Sequence, residues 1–316
     1  MFDGLGDAVT VYEVSPRDGL QNESAIVSTA EKVELVQALR AAGLRRIEAT
    51  SFVSPKWIPQ LADAEALLLA LAADDLARDG EYSALCPNSR GLQRARDTGV
   101  AEIVVFVSAS AEHNQKNLNS SIDDSLARLR EVVQEARQTG LRVRGCVSTA
   151  WGFRSEQDVD LRESARIGRA LMDMGCTELS LGDTTGVATP RKTHDVLSCF
   201  LAEHPAVTLS MHMHDTRGTA LANVLVGLEL GLRSFDAAIG GLGGCPYAPG
   251  AAGNLATEDL VYMLHGMGIP SGIDLDKLIE AGKVAARLVG HPLPGKVHRA
   301  SLGTPRTAHS TAQPVR

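Results

Sequence analysis

The 316-residue chain predicts an α/β fold, a single (β/α)8 TIM barrel with extra helices at its C-terminal end. Three observations point there. Short β-type runs alternate with longer helical patterns, which calls for a parallel sheet with helical crossovers. The runs number eight, a count that favours a closed barrel over an open doubly wound sheet. No linker or break in composition divides residues 1–250, and a chain of this length can bury a large core without disulfides.

The first run is VTVYEVSP (9–16). The stretch TAEKVELVQALRAAG follows, with Val33, Val36, Leu39 and Leu44 at roughly helical spacing. RIEAT (46–50), YSALCP (82–87) and EIVVFVSAS (102–110) supply the next three strands. SIDDSLARLREVVQEARQTG reads as a helix opened by Ser121 and Asp124, a capping-box pair, and stopped by Gly140. VRGCVSTA (143–150) and ELSLGD (178–183) are the fifth and sixth strands. In the seventh, VTLSMHMHD (207–215), alternation sends Val207, Leu209, Met211 and Met213 to one face. Thr208, Ser210, His212 and His214 take the other. SFDAAIGGLG (234–243) is the eighth. Beyond it GGLGGCPYAPGAAGN (240–254) is rich in Gly and Pro, and TEDLVYMLHGMG and DLDKLIEAGKVAARLVG read as two further helices. Residues 1–300 are therefore assigned to the barrel with its helical extension. The polar, aperiodic stretch 301–316 is assigned to a disordered tail.

Composition narrows the class. The chain is 44% hydrophobic and 22% charged, ordinary for a soluble globular protein, and its net charge of −7 gives no reason to expect nucleic acid or an anionic membrane as partner. Five cysteines, an odd number without a CxxC pair, suggest a reducing compartment. The start MFDGLGDAVTVYEV has no features of a targeting peptide, and no apolar run approaches the ~20 residues of a membrane helix. A cytoplasmic protein is expected.

Barrels of this kind carry their chemistry at the C-terminal ends of the strands. Unusual polar residues gather there. The first strand ends in Arg17 and Asp18, the second in Glu48, the sixth in Asp183, the seventh in His212 and His214. The loop after the eighth holds Cys245 and Asn254. Singly, each has a bland reading: Asp18 and Asp183 as turn-formers, Asn254 as a loop fixer, Cys245 as a small buried hydrophobe, Glu48 as an ion-pair partner, Arg17 as a surface charge. Two histidines on one face of an apolar strand are harder to dismiss, because up to four ring nitrogens need partners. The set together outweighs its members.

Two imidazoles, a carboxylate and an amide oxygen suit a divalent cation with positions left for substrate oxygens. Asp18, His212, His214 and Asn254 are the expected ligands. The histidines favour Mn²⁺, Co²⁺ or Zn²⁺, while an octahedral site with open positions also admits Mg²⁺. The cation would act as Lewis acid and template, Asp183 and Glu48 as base or orienting carboxylates, and Arg17 as stabiliser of an oxyanion. Cys245, on a Gly-rich loop, would move a proton. These parts fit carbon–carbon cleavage or formation next to a carbonyl.

The segments SPRDGLQNE, SFVSPKWIPQLAD, GDTTGVATP, HMHDTRGTALAN and GGLGGCPYAPGAAGNLATEDLVYML closely resemble the 3-hydroxy-3-methylglutaryl-CoA lyase family over roughly residues 9–295. The resemblance implies a metal-dependent barrel lyase that splits 3-hydroxy-3-methylglutaryl-CoA into acetyl-CoA and acetoacetate, a step of leucine breakdown, with Mg²⁺ or Mn²⁺ as the first choice of ion. By motif match Asp18, His212, His214 and Asn254 are its metal ligands, Arg17 its enolate-stabilising arginine and Cys245 its mobile cysteine. Glu48 and Asp183 match its remaining acidic positions. Arg144, in VRGCVS, matches a family arginine that binds substrate; its bland reading is an ion pair inside the barrel. The expected partners are an acyl-CoA substrate and a second copy of the chain in a homodimer.

One departure lies on the active rim. Where the family carries a segment resembling GCPYEG after the fifth strand, this chain reads AWGFRSE (150–156). Its Arg154 is either a contact for a substrate carboxylate or a solvated loop charge. The alternatives are a lyase for another 3-hydroxyacyl-CoA such as citramalyl-CoA, a condensing enzyme of the isopropylmalate synthase type, and a non-catalytic acyl-CoA or metal-binding protein. Against the synthase, HDTRG replaces its usual HNDxG, and no regulatory domain follows.

Overall fold

A computed structural model of the chain describes residues 6–243 and 253–303. Eight parallel strands close into a barrel in chain order. They are β1 (Thr10–Glu13), β2 (Arg46–Ser51), β3 (Glu81–Leu85), β4 (Glu102–Ser108), β5 (Arg142–Ser148), β6 (Glu178–Asp183), β7 (Leu209–Met213) and β8 (Ser234–Ala237). Interleaved with them are α1 (Thr29–Ala41), α2 (Ala64–Ala73), α3 (Ser89–Arg96), α4 (Ala111–Leu118), α5 (Ile122–Gln138), α6 (Leu161–Met174), α7 (Pro190–Leu201) and α8 (Ala220–Glu229). The extra helices after the barrel are α9 (Thr257–Gly266), α10 (Leu275–Val289) and α11 (Lys296–Leu302). The ring closes where β1 lies against β8, with Val11 opposite Phe235 and Tyr12 opposite Asp236.

Alternation along the strands separates two kinds of interior. The outward residues Ile47, Ile103, Val105, Val143, Leu179, Leu209, Met211 and Phe235 are buried in the apolar layer between barrel and helices. Met211 and Phe235 crowd Gly227 of α8, and Leu179 approaches Gly168 of α6; a side chain at either glycine would collide with its neighbours. Inward positions of β2, β5, β6, β7 and β8 carry Arg46, Arg144, Ser180, Ser210 and Asp236, polar groups in place of the branched aliphatic layers common to such barrels. Arg46 donates to Glu178 at 2.8 Å, and Arg144 donates to Glu178 at 2.8 Å and to Asp236 at 2.6 and 3.0 Å. The Arg144 guanidinium lies 3.9 Å from the Tyr12 ring centre. Each of these inward charges thus has an opposite partner, the condition under which burial is tolerated.

The strands end earlier than alternation alone predicts. The first stops at Glu13 because Ser15–Gly19 winds into a π-helical turn. In the seventh, Val207 falls in a 3₁₀ turn (Ala206–Thr208) and is 85% exposed, so the strand begins at Leu209. The eighth stops at Ala237, before a 3₁₀ turn at Ile239–Gly241. Ser121 caps α5 as expected, accepting from the Asp124 amide at 3.1 Å. The full capping box of α1, Ser28 with Glu31, went unforeseen. Helix α11 runs to Leu302, two residues past the expected boundary at 300, and the rest of the expected tail, 304–316, lies outside the described residues. Among the described residues no helix is long and apolar enough to cross a membrane.

The extra helices bind back to the barrel. The amide of Val9 donates to Pro270 O at 2.9 Å, that of Asp274 to Ala42 O at 2.8 Å, and that of Gly295 to Gly240 O at 2.8 Å. These bonds tie the extension both to the entry of β1 and to the turn after β8.

Candidate metal centre

The π-turn after β1 is what presents Arg17 and Asp18. The amides of Arg17, Asp18 and Gly19 all converge on Val14 O, at 3.2, 2.7 and 3.2 Å. Pro16 fits at the start of such a turn because it has no N–H to leave unpaired. The chain therefore turns across the barrel mouth instead of running out of it. Arg17 Nη1 donates to Asp18 Oδ1 at 2.6 Å, and Nη2 donates to Glu48 Oε2 of β2 at 2.9 Å.

Across the mouth, β7 delivers the histidines. Ring nitrogens of His212 and His214 and a carboxylate oxygen of Asp18 all lie within 4.8 Å of one another. His212 Nε2 stands 3.9 Å from Asp18 Oδ2, while its Nδ1 lies 3.3 Å from Asp236 Oδ2. His214 follows the last strand residue and forms a β-bridge with Asn254. The Asn254 amide donates to Asp18 Oδ2 and to Leu242 O, each at 2.9 Å. Gly243 makes this possible: at φ +103° it is in the left-handed region, and a Cβ there would sit 2.3 Å from Asn254 Nδ2.

Electrostatics favour the ligating forms of Asp18 and His214. Burial pushes the Asp18 carboxyl up, but the Arg17 guanidinium and the two imidazoles outweigh it and hold the group down at about 2. Burial, reinforced by His212, pushes His214 down to about 4, so its ring is neutral near pH 7, the state that coordinates metals. For His212 burial acts downward, and the Asp236 hydrogen bond and charge overcome it and raise the value. Burial raises Glu48 against the pull of Arg17.

Three buried polar atoms here have no hydrogen-bond partner among the described residues: His214 Nδ1, Glu48 Oε1 and Arg17 Nε. An ionised carboxylate, two imidazoles and unanswered polar atoms at one mouth fit a divalent cation with an oxygen-rich ligand beside it. Asp18, His212 and His214 form a group able to hold a metal ion.

The structure brings Arg17, Asp18, Glu48, His212, His214 and Asn254 together. Asp183 is adjacent, paired in register with Met213 of β7. Its carboxylate accepts the amides of Val187 at 2.9 Å and Ala188 at 3.1 Å, which clamps the loop after β6. Burial pushes it up to about 6 despite those amides. Arg144 lies lower in the barrel with Asp236 and Glu178, the ion-pair arrangement. Arg154 pairs with Glu112 and is 68% exposed, as a solvated loop charge is. Around it the 150–156 loop is anchored by buried Trp151 and by Phe153, whose ring centre lies 5.1 Å from that of His113. Cys245 lies outside the described residues. Sequence reasoning missed Asp236. The signal was available: an acidic residue in the middle of SFDAA, flanked by apolar neighbours on a strand with no solvent face.

Fold and site together define a (β/α)8 barrel whose mouth carries a candidate metal site, with an arginine–carboxylate pair beside it. The chain belongs to the HMGL-like family, whose model matches residues 8–285. It is 46% identical over 288 residues to the hydroxymethylglutaryl-CoA lyase of Bacillus subtilis, covering 91% of this chain and 95% of that one. The crystal structure of the B. subtilis HMG-CoA lyase superposes with a TM-score of 0.90 at 45% identity, covering 94% of this chain and 99% of that one. An HMG-CoA lyase from Acinetobacter baumannii, solved with coenzyme A and 3-methylmalate, is 40% identical, with a TM-score of 0.88 over 98% of this chain and 99% of that one.

Proposed function

We propose that this chain is a divalent-metal-dependent carbon–carbon lyase that cleaves 3-hydroxy-3-methylglutaryl-CoA to acetyl-CoA and acetoacetate in leucine degradation. The observation that carries the reading is the convergence of Asp18, His212 and His214 within 4.8 Å at the mouth of a barrel whose family match spans most of the chain. Asn254, already bonded to Asp18, is the fourth proposed ligand. Mg²⁺ or Mn²⁺ is the proposed ion, with Co²⁺ or Zn²⁺ able to replace it. When bound, the cation supplies Lewis-acid polarisation of the substrate's hydroxyl and carbonyl oxygens.

The residues divide the remaining work. The tertiary hydroxyl of the substrate loses its proton to a carboxylate at the rim; Glu48, with Oε1 unengaged, is the better placed, while Asp183 orients the loop beside it. The alkoxide electron pair becomes the ketone of acetoacetate. The carbon–carbon bond breaks, and its pair passes to the enolate of acetyl-CoA. Arg17, steadied by Glu48, binds the enolate oxygen. Cys245 delivers the proton that the enolate carbon takes up. Arg144, paired with Glu178 and Asp236 inside the barrel, is the second proposed substrate-binding arginine. The substrate is an acyl-CoA, the protein is a cytoplasmic homodimer, and neither nucleic acid nor membrane is a partner.

The test is a panel of acyl-CoA esters assayed after chelation and after return of each of the four ions. Cleavage of 3-hydroxy-3-methylglutaryl-CoA restored by Mg²⁺ or Mn²⁺ supports the reading. Cleavage of citramalyl-CoA alone, or tight acyl-CoA binding without metal-restored turnover, overturns it.

A further inference from the structure

One carboxylate inside the barrel, on β8, bonds to side chains of β5, β6 and β7. Asp236, projecting inward from β8, is 3% exposed. Its Oδ1 accepts from Arg144 Nη2 of β5 at 2.6 Å and from Ser210 Oγ of β7 at 2.9 Å. Its Oδ2 accepts from Arg144 Nη1 at 3.0 Å and from Ser180 Oγ of β6 at 3.0 Å, and lies 3.3 Å from His212 Nδ1. Asp236 and His212 are also direct cross-strand neighbours.

Such a carboxylate has no choice of role. Facing a guanidinium with both oxygens, Asp236 is ionised, and an ionised carboxylate only accepts. The atom it meets on His212 must therefore be an N–H. A neutral imidazole carries one proton, so Nε2, the nitrogen 3.9 Å from Asp18 Oδ2, is left with a lone pair.

We propose that Asp236 is a positioning residue: held by Arg144, Ser180 and Ser210, it fixes the His212 ring with the proton on Nδ1 and the lone pair of Nε2 turned toward Asp18, so that the metal site is set before the ion arrives. This rests on the reading of His212 as a ligand. An orienting partner of this kind raises the affinity of a metal site about 10- to 100-fold. Among the described residues, other neighbours of the ring are the His214 ring, 5.4 Å away between centres, and Asp18, 3.9 Å from Nε2.

The first measurement needs no variant. Imidazole nitrogen shifts of metal-free protein with labelled histidine, in mildly alkaline buffer, should show His212 protonated on Nδ1; the resonance is assigned by its loss in His212→Ala. Protonation on Nε2 overturns the proposal. The second is Mn²⁺ titration calorimetry on Asp236→Asn, whose amide can donate to Nδ1 and shift the ring proton to Nε2. The expected loss of affinity is about 10- to 100-fold, with the shifted tautomer visible in the same nitrogen spectrum. A folded Asp236→Asn with wild-type affinity overturns the proposal, because a merely structural role would move the melting temperature alone. If Asp236→Asn does not fold, the wild-type tautomer still decides. If wild-type protein takes up no Mn²⁺, the ligand reading has failed, and the tautomer still shows whether Asp236 positions the ring.

Discussion

At the scale of single residues, the proposed roles separate groups that hold a cation from groups that move protons, and substitution should separate them too. His212→Ala removes one of the four proposed ligands and frees Asp236 of its ring partner. Mn²⁺ affinity should fall by at least about 100-fold and turnover should nearly vanish; wild-type affinity by calorimetry would refute the ligand assignment. Cys245→Ala should behave differently. Its thiol is assigned to proton delivery, so most activity should be lost while Mn²⁺ affinity is retained, and unaltered kinetics would show that the thiol only packs. The contrast also explains what was legible beforehand. Two histidines on one strand face, an Arg-Asp pair after the first strand and a rim glutamate are conspicuous because their residue types are rare where they stand. Asp236 and Glu13 sit inside strands, where charge patterns are set by partners distant in sequence, and no local spacing announces those partners.

At the scale of elements, the informative deviation is the π-turn that follows β1. Alternation through VTVYEVSP predicts strand to residue 16, yet the strand stops at Glu13. Burial needs explain it. Glu13, wholly buried, accepts from the amides of Ser15 at 3.0 Å and Ile239 at 2.9 Å and from Thr257 Oγ1 at 2.7 Å. One side chain thus pins the turn that carries Arg17 and Asp18, the turn after β8, and the start of α9. Sequence periodicity records faces, not such junctions, which is why strand order was readable and strand ends were not. Burial pushes Glu13 up from 4.5 to about 7, against its three hydrogen-bond donors. A carboxyl raised on folding binds its proton more tightly in the folded state. Its stabilisation is therefore complete below pH 4.5 and is lost as pH rises through about 7. The loss should amount to about 3 kcal/mol at most. Glu13→Gln keeps an acceptor for the two amides and removes the titration. Melting temperatures compared at about pH 5 and about pH 8 should fall more with pH in the wild type than in the variant. Equal slopes would show that Glu13 does not titrate in this window.

At the scale of the molecule, the C-terminal extension is part of the site's support. Helix α11 opens with the Gly295 amide on Gly240 O, and its first amides, of Lys296 and Val297, are received by Asp259 of α9 at 3.1 and 2.7 Å. Lys296 Nζ reaches Asp215, the residue next to His214. His298 is buried against Glu258, whose other oxygen accepts the Gly240 amide at 2.7 Å. The extension therefore braces the loop behind a proposed ligand and the turn beside Asn254. Barrel count and helical spacing made its helices α9 and α10 legible. The short α11 escaped notice because KVHRASL buries only one residue, His298, and so has no apolar stripe. Two truncations distinguish brace from tail. Among the described residues, ending the chain after Ala300 removes exposed Leu302 and the Ser301 bond to His298 O, and leaves the bonds of Gly295, Lys296 and Val297 in place. Its melting temperature should stay within about 2 °C of the full chain, with Mn²⁺ affinity unchanged. Ending it after Pro294 deletes α11, leaving Asp259 without the Lys296 and Val297 amides and Glu258 without the His298 ring. That costs a few kcal/mol, so melting should fall by about 5–10 °C and Mn²⁺ affinity should drop with it, because the loop bearing His214 loses its outer anchor. Equal losses from the two truncations would place the support in residues 301–316 instead. A stable Pro294 truncation with intact Mn²⁺ binding would show that the barrel holds its own rim.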